Sequence, residues 1–121
     1  MPVDKRLHPD DKTVSFFEMV HQVVQLIPSG RVTSYGAIAR YLGAARSSRM
    51  VGWALNSSKT NIDRIPAHRV VNRKGMLTGN VHFKGIPMEQ LLQQEGVSVT
   101  DLKIDNFNEV FWDPSEELGL D

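Results

Sequence analysis

The chain has 121 residues, which is enough for one domain with one hydrophobic core and too few for two domains of ordinary size. Hydrophobic residues make up 40% and charged residues 23%, a composition typical of soluble globular proteins. Because there is no cysteine, disulfides, thiolate metal sites and thiol nucleophiles are excluded. No apolar run approaches the roughly 20 residues of a membrane-spanning helix, and the N-terminus lacks an apolar signal segment, so we expect a cytoplasmic protein without membrane contact.

The formal net charge is zero, but the charges are segregated along the chain. Residues 31–74 carry nine basic side chains and one acidic one, a net charge of +8, whereas the remainder carries five basic and thirteen acidic ones, a net charge of −8. Such a basic segment favours a polyanionic partner such as nucleic acid; the alternative is a solvated basic face beside acidic flanks. His8, His21, His68 and His82 lack the spacing of a metal site, and we expect no metal or cofactor.

Apolar residues at helical spacing predict a main core helix that begins at or shortly before Ser15 and ends before Pro28. Ser15 opens a segment with the form of a capping box. Residues 1–12 are polar and are predicted to be a loose arm. The single domain is therefore predicted to span residues 13–114 and to be followed by an acidic, frayed tail at residues 115–121.

Two short helices joined by a tight turn are predicted next, over about residues 35–42 and 48–56, with Ser34 as the N-cap of the first. This is the pattern of a helix-turn-helix, whose second helix ordinarily enters a groove of DNA. Three basic residues cluster around the turn: Arg40, Arg46 and Arg49.

Short apolar segments in the second half predict a small β wing. Val70–Val71 and Met76–Leu77, separated by residues 72–75, are predicted to form either a small hairpin or a strand followed by a turn. A further helix is predicted from about Pro87, at its first position, to Glu95, and alternation over residues 97–104 predicts a short strand. The fold class is therefore mostly α with a small β wing, of the helix-turn-helix or winged-helix type.

A methyl side chain occupies the centre of the most informative stretch. Pro66 fixes the backbone ahead of Ala67 and His68, and the apolar residues from Val70 onward predict a strand. We expect this stretch to form the floor of a small pocket. Because the side chain of Ala67 cannot be activated as a nucleophile, the pocket is expected to hold a ligand without reacting with it.

Four segments carry a specific pattern: residues 27–36 (Ile-Pro-Ser-Gly-Arg-Val-Thr-Ser-Tyr-Gly), 49–52 (Arg-Met-Val-Gly), 65–71 (Ile-Pro-Ala-His-Arg-Val-Val) and 91–96. In order and spacing they resemble the C-terminal, DNA-binding domain of the O6-alkylguanine-DNA alkyltransferases. Those enzymes carry Pro-Cys-His-Arg-Val at the segment that corresponds to residues 66–70, so their cysteine occupies the position of Ala67. That cysteine accepts the alkyl group of the damaged guanine. The substitution narrows the resemblance to the alkyltransferase-like proteins, which bind O6-alkylguanine in DNA without repairing it and are linked to nucleotide excision repair.

The resemblance implies a set of DNA-contacting residues. Arg49 matches the arginine that fills the space left by an extruded nucleotide, and Tyr35 matches the tyrosine that crowds the 3′ phosphate and helps to rotate the nucleotide out. The predicted DNA-binding residues are Thr33, Ser34, Tyr35, Arg46, Ser48 and Arg49. The alternatives are a solvated arginine, an aromatic ring packed on the core and simple helix capping by Ser34.

The resemblance also implies a pocket for the damaged base. Its predicted residues are Tyr35, Pro66, Ala67, His68, Val70, Asn80 and Val81. His68 and Glu95 match a proton relay that would serve the missing cysteine, so with Ala67 they are interpreted as vestigial catalytic residues, now hydrogen-bonded in the core. The loop at 75–85 corresponds to the lesion-covering loop of the family but lacks its Gly-Tyr-Ser-Gly-Gly pattern.

Trp53 departs from the family, which has small residues at this point of the recognition helix. We therefore expect it to face the core or a loop rather than a base. Asn56 matches an asparagine that braces the active-site turn.

The predicted function is that of a monomeric, non-enzymatic sensor. It would bind double-stranded DNA in the minor groove, flip O6-alkylguanine into the pocket and mark it for nucleotide excision repair proteins, lying on the nucleoid when bound. One alternative is an enzyme acting on alkylated DNA, a methyltransferase or a hydrolase that uses His68 and Glu95. Another is a winged helix-turn-helix regulator of undamaged duplex.

Overall fold

The computed structural model describes residues 11–58, 61–77 and 82–119, with side chains from residue 15 onward. Helix α1 spans Asp11–Gln25. Its core-facing residues follow helical spacing: Phe16, Val20, Val23 and Val24. Ile27, two residues beyond the helix, is buried in the same core, whereas Leu26 between them is exposed. The prediction of a core helix ending before Pro28 is confirmed.

The predicted start of this helix was wrong. Because α1 begins at Asp11, Ser15 lies inside the helix on its exposed side and is not its cap. Polar residues three apart on a solvated helix face have the same spacing as a capping box, so the pattern alone does not separate the two. The predicted arm therefore loses Asp11 and Lys12 to the helix, and its residues 1–10 lie outside the described part of the chain.

The helix-turn-helix was predicted with the correct bounds. Strand β1, Thr33–Ser34, leads into α2, Tyr35–Tyr41, and α3 spans Ser48–Asn56. The Ser34 hydroxyl oxygen accepts a hydrogen bond from the Ala37 N–H (3.1 Å), which caps α2. Both α1 and α2 pack against α3, so the three helices enclose the main core.

Of the two alternatives predicted for residues 70–77, the strand followed by a turn is correct and the hairpin is wrong. Strand β2, Val70–Val71, pairs in parallel with β1, so that Thr33 lies opposite Val70. The chain does turn at Asn72, whose carbonyl accepts from the Gly75 N–H (2.9 Å), but Met76 forms its bridge with Lys103. A parallel partner about 37 residues away leaves no local pattern of the kind that marks a hairpin.

Two further small sheets flank the next helix. Strands β3, His82–Phe83, and β4, Ile86–Pro87, form an antiparallel pair directly ahead of α4, Met88–Gln94. Pro87 is thus the N-cap of α4 and not its first residue.

The single strand predicted over residues 97–104 is a hairpin. Strand β5, Val99–Thr100, pairs with β6, Lys103–Ile104. Asp101 and Leu102, between them, both have positive φ (51° and 61°), as the tightest hairpin turn requires.

The C-terminal segment is ordered further than predicted. Helix α5 spans Phe107–Val110, and α6 spans Pro114–Glu117, so that its last three residues fall in the range predicted to be frayed. The Asp113 carboxylate caps α6 by accepting from the Ser115 N–H (3.0 Å), and α6 packs against α2. Acidic residues in a first helical turn are stabilised by the helix dipole, which a count of charges does not reveal.

The fold class, mostly α-helical with small sheets, is confirmed for the described residues. Among the helices described here, none combines the length and the apolarity needed to span a lipid bilayer.

Candidate nucleic-acid interface

A small cavity of about 130 Å³ lies between α3, α4 and the turn that precedes β2. Its walls come from segments distant in sequence: Tyr35, Gly52, Leu55, Asn56, Ala67, Val70, Phe83 and Met88. Most of these side chains are apolar, and among the described lining residues only Tyr35 carries an ionisable group. The cavity thus offers a hydrophobic space with a few polar atoms at its edge, the usual character of a ligand pocket.

An open groove of about 400 Å³ adjoins the cavity and runs along the outer face of α3. It is lined by Tyr35, Ser48, Arg49, Gly52 and Trp53. Tyr35 and Gly52 line both spaces, so the groove and the cavity are neighbours that share these two residues. We refer to these five residues as the α3 groove.

The turn that carries Ala67 is a single 3₁₀ turn, Ala67–Arg69. Pro66 precedes it with φ −76°, and Ala67 and His68 are buried. The methyl group of Ala67 therefore reaches the cavity from a rigid, enclosed backbone, as the sequence predicts.

Glu95, at the C-cap of α4, joins this turn to the segment before β1. Its carboxylate accepts from Nε2 of His68 (2.7 Å), from the guanidinium of Arg69 (2.8 Å at the shortest) and from the Gly30 N–H (3.0 Å). The Nε and Nη2 atoms of Arg69 both donate to Glu95, and the remaining guanidinium nitrogen, Nη1, donates to the Ile27 carbonyl (2.7 Å). The Pro28–Gly30 turn and the Ala67–Arg69 turn are thus held to one carboxylate.

This network determines the charge of Glu95. Burial of the carboxyl would raise its pKa, but the hydrogen bonds from His68, Arg69 and Gly30 outweigh this effect and lower the pKa from 4.5 to about 2. The group is therefore an anion at neutral pH and functions as a hydrogen-bond acceptor.

His68 has no cysteine to serve, and its contacts are those of a structural residue. Nε2 bonds to Glu95, and the ring meets Phe83 edge-on with centroids 6.1 Å apart. Nδ1 is buried and has no hydrogen-bond partner among the described residues. The interpretation of His68 and Glu95 as hydrogen-bonded core groups agrees with this geometry.

The predicted DNA-binding residues divide into two groups. Arg46, Ser48 and Arg49 are exposed, and Tyr35 is half-buried at the junction of groove and cavity. The other two, Thr33 and Ser34, are buried in β1.

The burial of Thr33 and Ser34 corrects the expectation that their hydroxyls donate to phosphates. Thr33 is fully enclosed, and the Ser34 oxygen is occupied in capping α2. Both lie in strand β1, which pairs with β2 inside the domain. The local sequence around these two residues does not indicate this pairing.

The predicted pocket was partly correct. Tyr35, Ala67 and Val70 line the cavity, whereas Pro66 and His68 are buried beside Ala67 without lining it. Asn80 and Val81 lie outside the described residues.

Sequence reasoning missed Leu55 and Met88, which were interpreted only as core residues of their helices. Both are buried, and both also form a wall of the cavity. An apolar residue that faces a cavity has the same helical spacing as one that faces the core, so no local signal distinguishes them. Asn56, predicted to brace the turn, is exposed at the cavity edge.

The prediction that Trp53 faces the core was wrong. Its side chain is 56% exposed, and it lines the α3 groove together with Arg49. Residues 49 and 53 are separated by one helical turn and therefore share a face of α3. The opposite face of the helix buries Val51, Ala54 and Leu55.

Comparison with known proteins agrees with this arrangement. Residues 15–97 match the family model described as the DNA-binding domain of 6-O-methylguanine DNA methyltransferase. The chain is 37% identical over 103 residues to the DNA base-flipping protein of Escherichia coli, covering 83% of this chain and 74% of that protein. It is 32% identical over 104 residues to alkyltransferase-like protein 1 of Schizosaccharomyces pombe, covering 82% and 95%.

A solved structure is similar as well. The S. pombe protein Atl1, in complex with damaged DNA containing O6-carboxymethylguanine, superposes with a TM-score of 0.69 at 32% identity, covering 84% of this chain and 97% of that one. The chain belongs to the O6-alkylguanine-DNA alkyltransferase family. Within it, this is an alkyltransferase-like protein, with Ala67 where the repair enzymes carry cysteine.

Proposed function

We propose that this protein is a non-enzymatic sensor of O6-alkylguanine in double-stranded DNA, which it captures by flipping the damaged nucleotide into the cavity beside Ala67. The observation that carries the proposal is that two spaces adjoin: the exposed groove of α3 shares Tyr35 and Gly52 with an apolar cavity that Ala67 lines. The name of the E. coli relative and the S. pombe complex with damaged DNA support it.

The start of α3 has the groups needed to hold a duplex open. Ser47, its N-cap, makes no side-chain capping hydrogen bond, so the N–H groups of the first turn can donate to a phosphate. Arg49 is exposed in that same turn and is long enough to enter the stack from the groove. Flipping a nucleotide out of a duplex requires a few kcal/mol, less for a damaged pair, and an inserted side chain offsets part of that.

The cavity supports capture without reaction. Alkyl transfer requires a nucleophile able to attack an sp³ carbon, and the side chain of Ala67 cannot serve as one. His68 is turned toward Glu95, which holds its Nε2 atom at 2.7 Å. In this proposal His68 and Glu95 hold the turn that carries Ala67 and take no part in hydrolysis.

A lesion that is held but not removed must pass to other proteins. We therefore extend the proposal to recruitment of nucleotide excision repair proteins by a monomer that lies on the nucleoid in the cytoplasm. Lesion-dependent binding of purified excision repair proteins to the complex would support this extension, and binding that is the same on intact duplex would contradict it. Sedimentation of the free protein measures its oligomeric state.

The binding proposal is tested with two duplexes of identical flanking sequence, one of which contains O6-methylguanine. Fluorescence anisotropy should show tighter binding to the modified duplex. Arg49→Ala should weaken that binding by about 2 kcal/mol, or roughly 30-fold in Kd, because the space left by the flipped nucleotide is then unfilled. Tyr35→Ala should also raise the Kd for the modified duplex.

The matched control is Lys103→Ala, which removes an exposed positive charge on β6, outside the lining of groove and cavity. It should change Kd for either duplex by less than about threefold, since a distant surface charge is screened by salt. Equal affinity of the unsubstituted protein for the two duplexes would refute the sensor function.

The absence of chemistry is tested separately. Duplex labelled in its O6-methyl group is incubated with excess protein and then separated from it. We expect the label to remain on intact guanine in the DNA. Label on the protein, or release of methyl or base, would instead support an enzyme that acts on alkylated DNA.

A further inference from the structure

The outer face of α3 carries one large aromatic side chain that the proposed function does not use. Trp53 is 56% exposed, whereas the other tryptophan, Trp112, is only 4% exposed and belongs to the core. Single exposed apolar residues are common on protein surfaces, so exposure alone is not informative. The position is informative, because Trp53 shares the α3 groove with Arg49 and Tyr35, the two residues proposed to act on the flipped nucleotide.

The spacing of Arg49 and Trp53 along α3 is nearly twice the spacing of successive bases. Residues four apart on an α-helix are separated by about 6 Å along its axis. Successive bases of one DNA strand are about 3.4 Å apart. With the Arg49 side chain in the space of the extruded nucleotide, Trp53 would lie one to two base steps away, on the same side of the helix.

We propose that Trp53 is a second DNA-contacting residue, whose indole stacks on a nucleobase next to the space filled by Arg49. This inference rests on the proposed function and adds to it a residue that contributes to lesion selectivity. The flat faces of bases in an intact duplex are covered by their neighbours. They become accessible where a step is opened, and apolar side chains are used as wedges at such steps.

Stacking of this kind is tolerant of sequence. Every base has an aromatic face, so the contact adds affinity without demanding a particular neighbour of the lesion. The surrounding charge fits the same occupant, because Arg49 lies in the groove and Arg46 is exposed just before the helix. The indole thus lies in a groove with positive charge at its N-terminal end, which favours a DNA strand as the occupant.

Tryptophan fluorescence makes the inference testable in one titration. The protein contains two tryptophans, and Trp112 is enclosed in the core. We expect the emission of the unsubstituted protein to fall when duplex containing O6-methylguanine is added, because a stacked indole is quenched. In Trp53→Phe, where only Trp112 emits, the same duplex should leave the emission unchanged.

Affinity gives the second readout. Trp53→Ala should raise Kd for the modified duplex by about tenfold, the lower part of the range expected for loss of one stacked base, and should change Kd for intact duplex by less than about threefold. The Kd of Trp53→Phe, which keeps a smaller ring, for the modified duplex should lie between those of the unsubstituted protein and Trp53→Ala. Leu26→Ala is the matched control, since Leu26 is 54% exposed and lies outside both the groove and the cavity.

The outcomes separate this inference from the function on which it rests. If the unsubstituted protein prefers the modified duplex while Trp53→Ala binds it equally well or better, the indole is no stacking residue and only this inference fails. Quenching that persists in Trp53→Phe would overturn it too. Absence of any preference in the unsubstituted protein would overturn both. Because Trp53 is exposed, its variants are expected to keep the far-UV circular dichroism of the parent.

Discussion

Replacement of Glu95 by glutamine tests the network that positions the turn carrying Ala67. Glutamine has nearly the same shape but no charge, so it keeps the packing of the C-cap of α4 and weakens the bonds to His68 and Arg69. The side chain of Glu95 is 13% exposed, which makes these bonds largely shielded from water. Removal of one partner from such a pair leaves the other buried without compensation.

The size of the expected loss of stability follows from the pKa of Glu95. The hydrogen bonds lower it from 4.5 to about 2, and this difference corresponds to about 3 kcal/mol of stability at neutral pH. Because the folded value is the lower one, the contribution is complete above pH 4.5 and is lost as the pH falls from there toward 2. At pH 3 less than half of it should remain.

The assay is urea unfolding of the parent and of Glu95→Gln, followed by far-UV circular dichroism at pH 7 and at pH 3. The variant should be less stable by about 3 kcal/mol at pH 7, and this deficit should shrink by more than half at pH 3. Glu89→Gln is the control on the same helix, because Glu89 has an exposed contact with Gln93 (3.3 Å) and otherwise gains only from the dipole of α4, in whose first turn it lies. It should change stability by less than about 1 kcal/mol.

Two results would refute the reasoning. Equal stability of Glu95→Gln and the parent at pH 7 would mean that the network adds nothing to folding. A deficit of the same size at both pH values would mean that the charge of the carboxylate is not what holds the two turns together.

Four further substitutions test the surroundings of the site. Gly75→Ala should destabilise the fold by about 2 kcal/mol in urea unfolding, because the new Cβ would lie 2.8 Å from the Phe107 ring at a φ of +78°. Gly52→Ala should instead stabilise α3 by roughly 0.5–1 kcal/mol, because the new Cβ meets no described atom within contact distance in the free protein. It should weaken binding to modified duplex, because residue 52 lines both the groove and the cavity. Stronger binding would contradict the assigned DNA path. Ala67→Leu should fill much of the cavity and remove the preference for modified duplex in anisotropy titrations, and an unchanged preference would place the lesion elsewhere. Arg46→Ala should lower the slope of log Kd against log salt by about 0.9 if the side chain meets one phosphate, and an identical slope would exclude that contact.

Local patterns in the sequence were sufficient to predict the helices of the DNA-binding motif and to predict a pocket without a nucleophile. Ser34 and the apolar residues of α2 and α3 predicted those helices with their correct bounds, because capping and helical periodicity depend on neighbours within one or two turns. The absence of cysteine and the alanine at position 67 excluded a thiol nucleophile without any structure.

Pairings between distant segments were decided only by the tertiary structure. The parallel pairing of β1 with β2 buried Thr33, and the meeting of Leu55 with Met88 turned two helix residues into walls of a cavity. Trp53 was placed on the outer face of α3 because the opposite face packs against the neighbouring helices. Such contacts join residues tens of positions apart, and their free energy depends on how whole elements pack, so no local pattern encodes them.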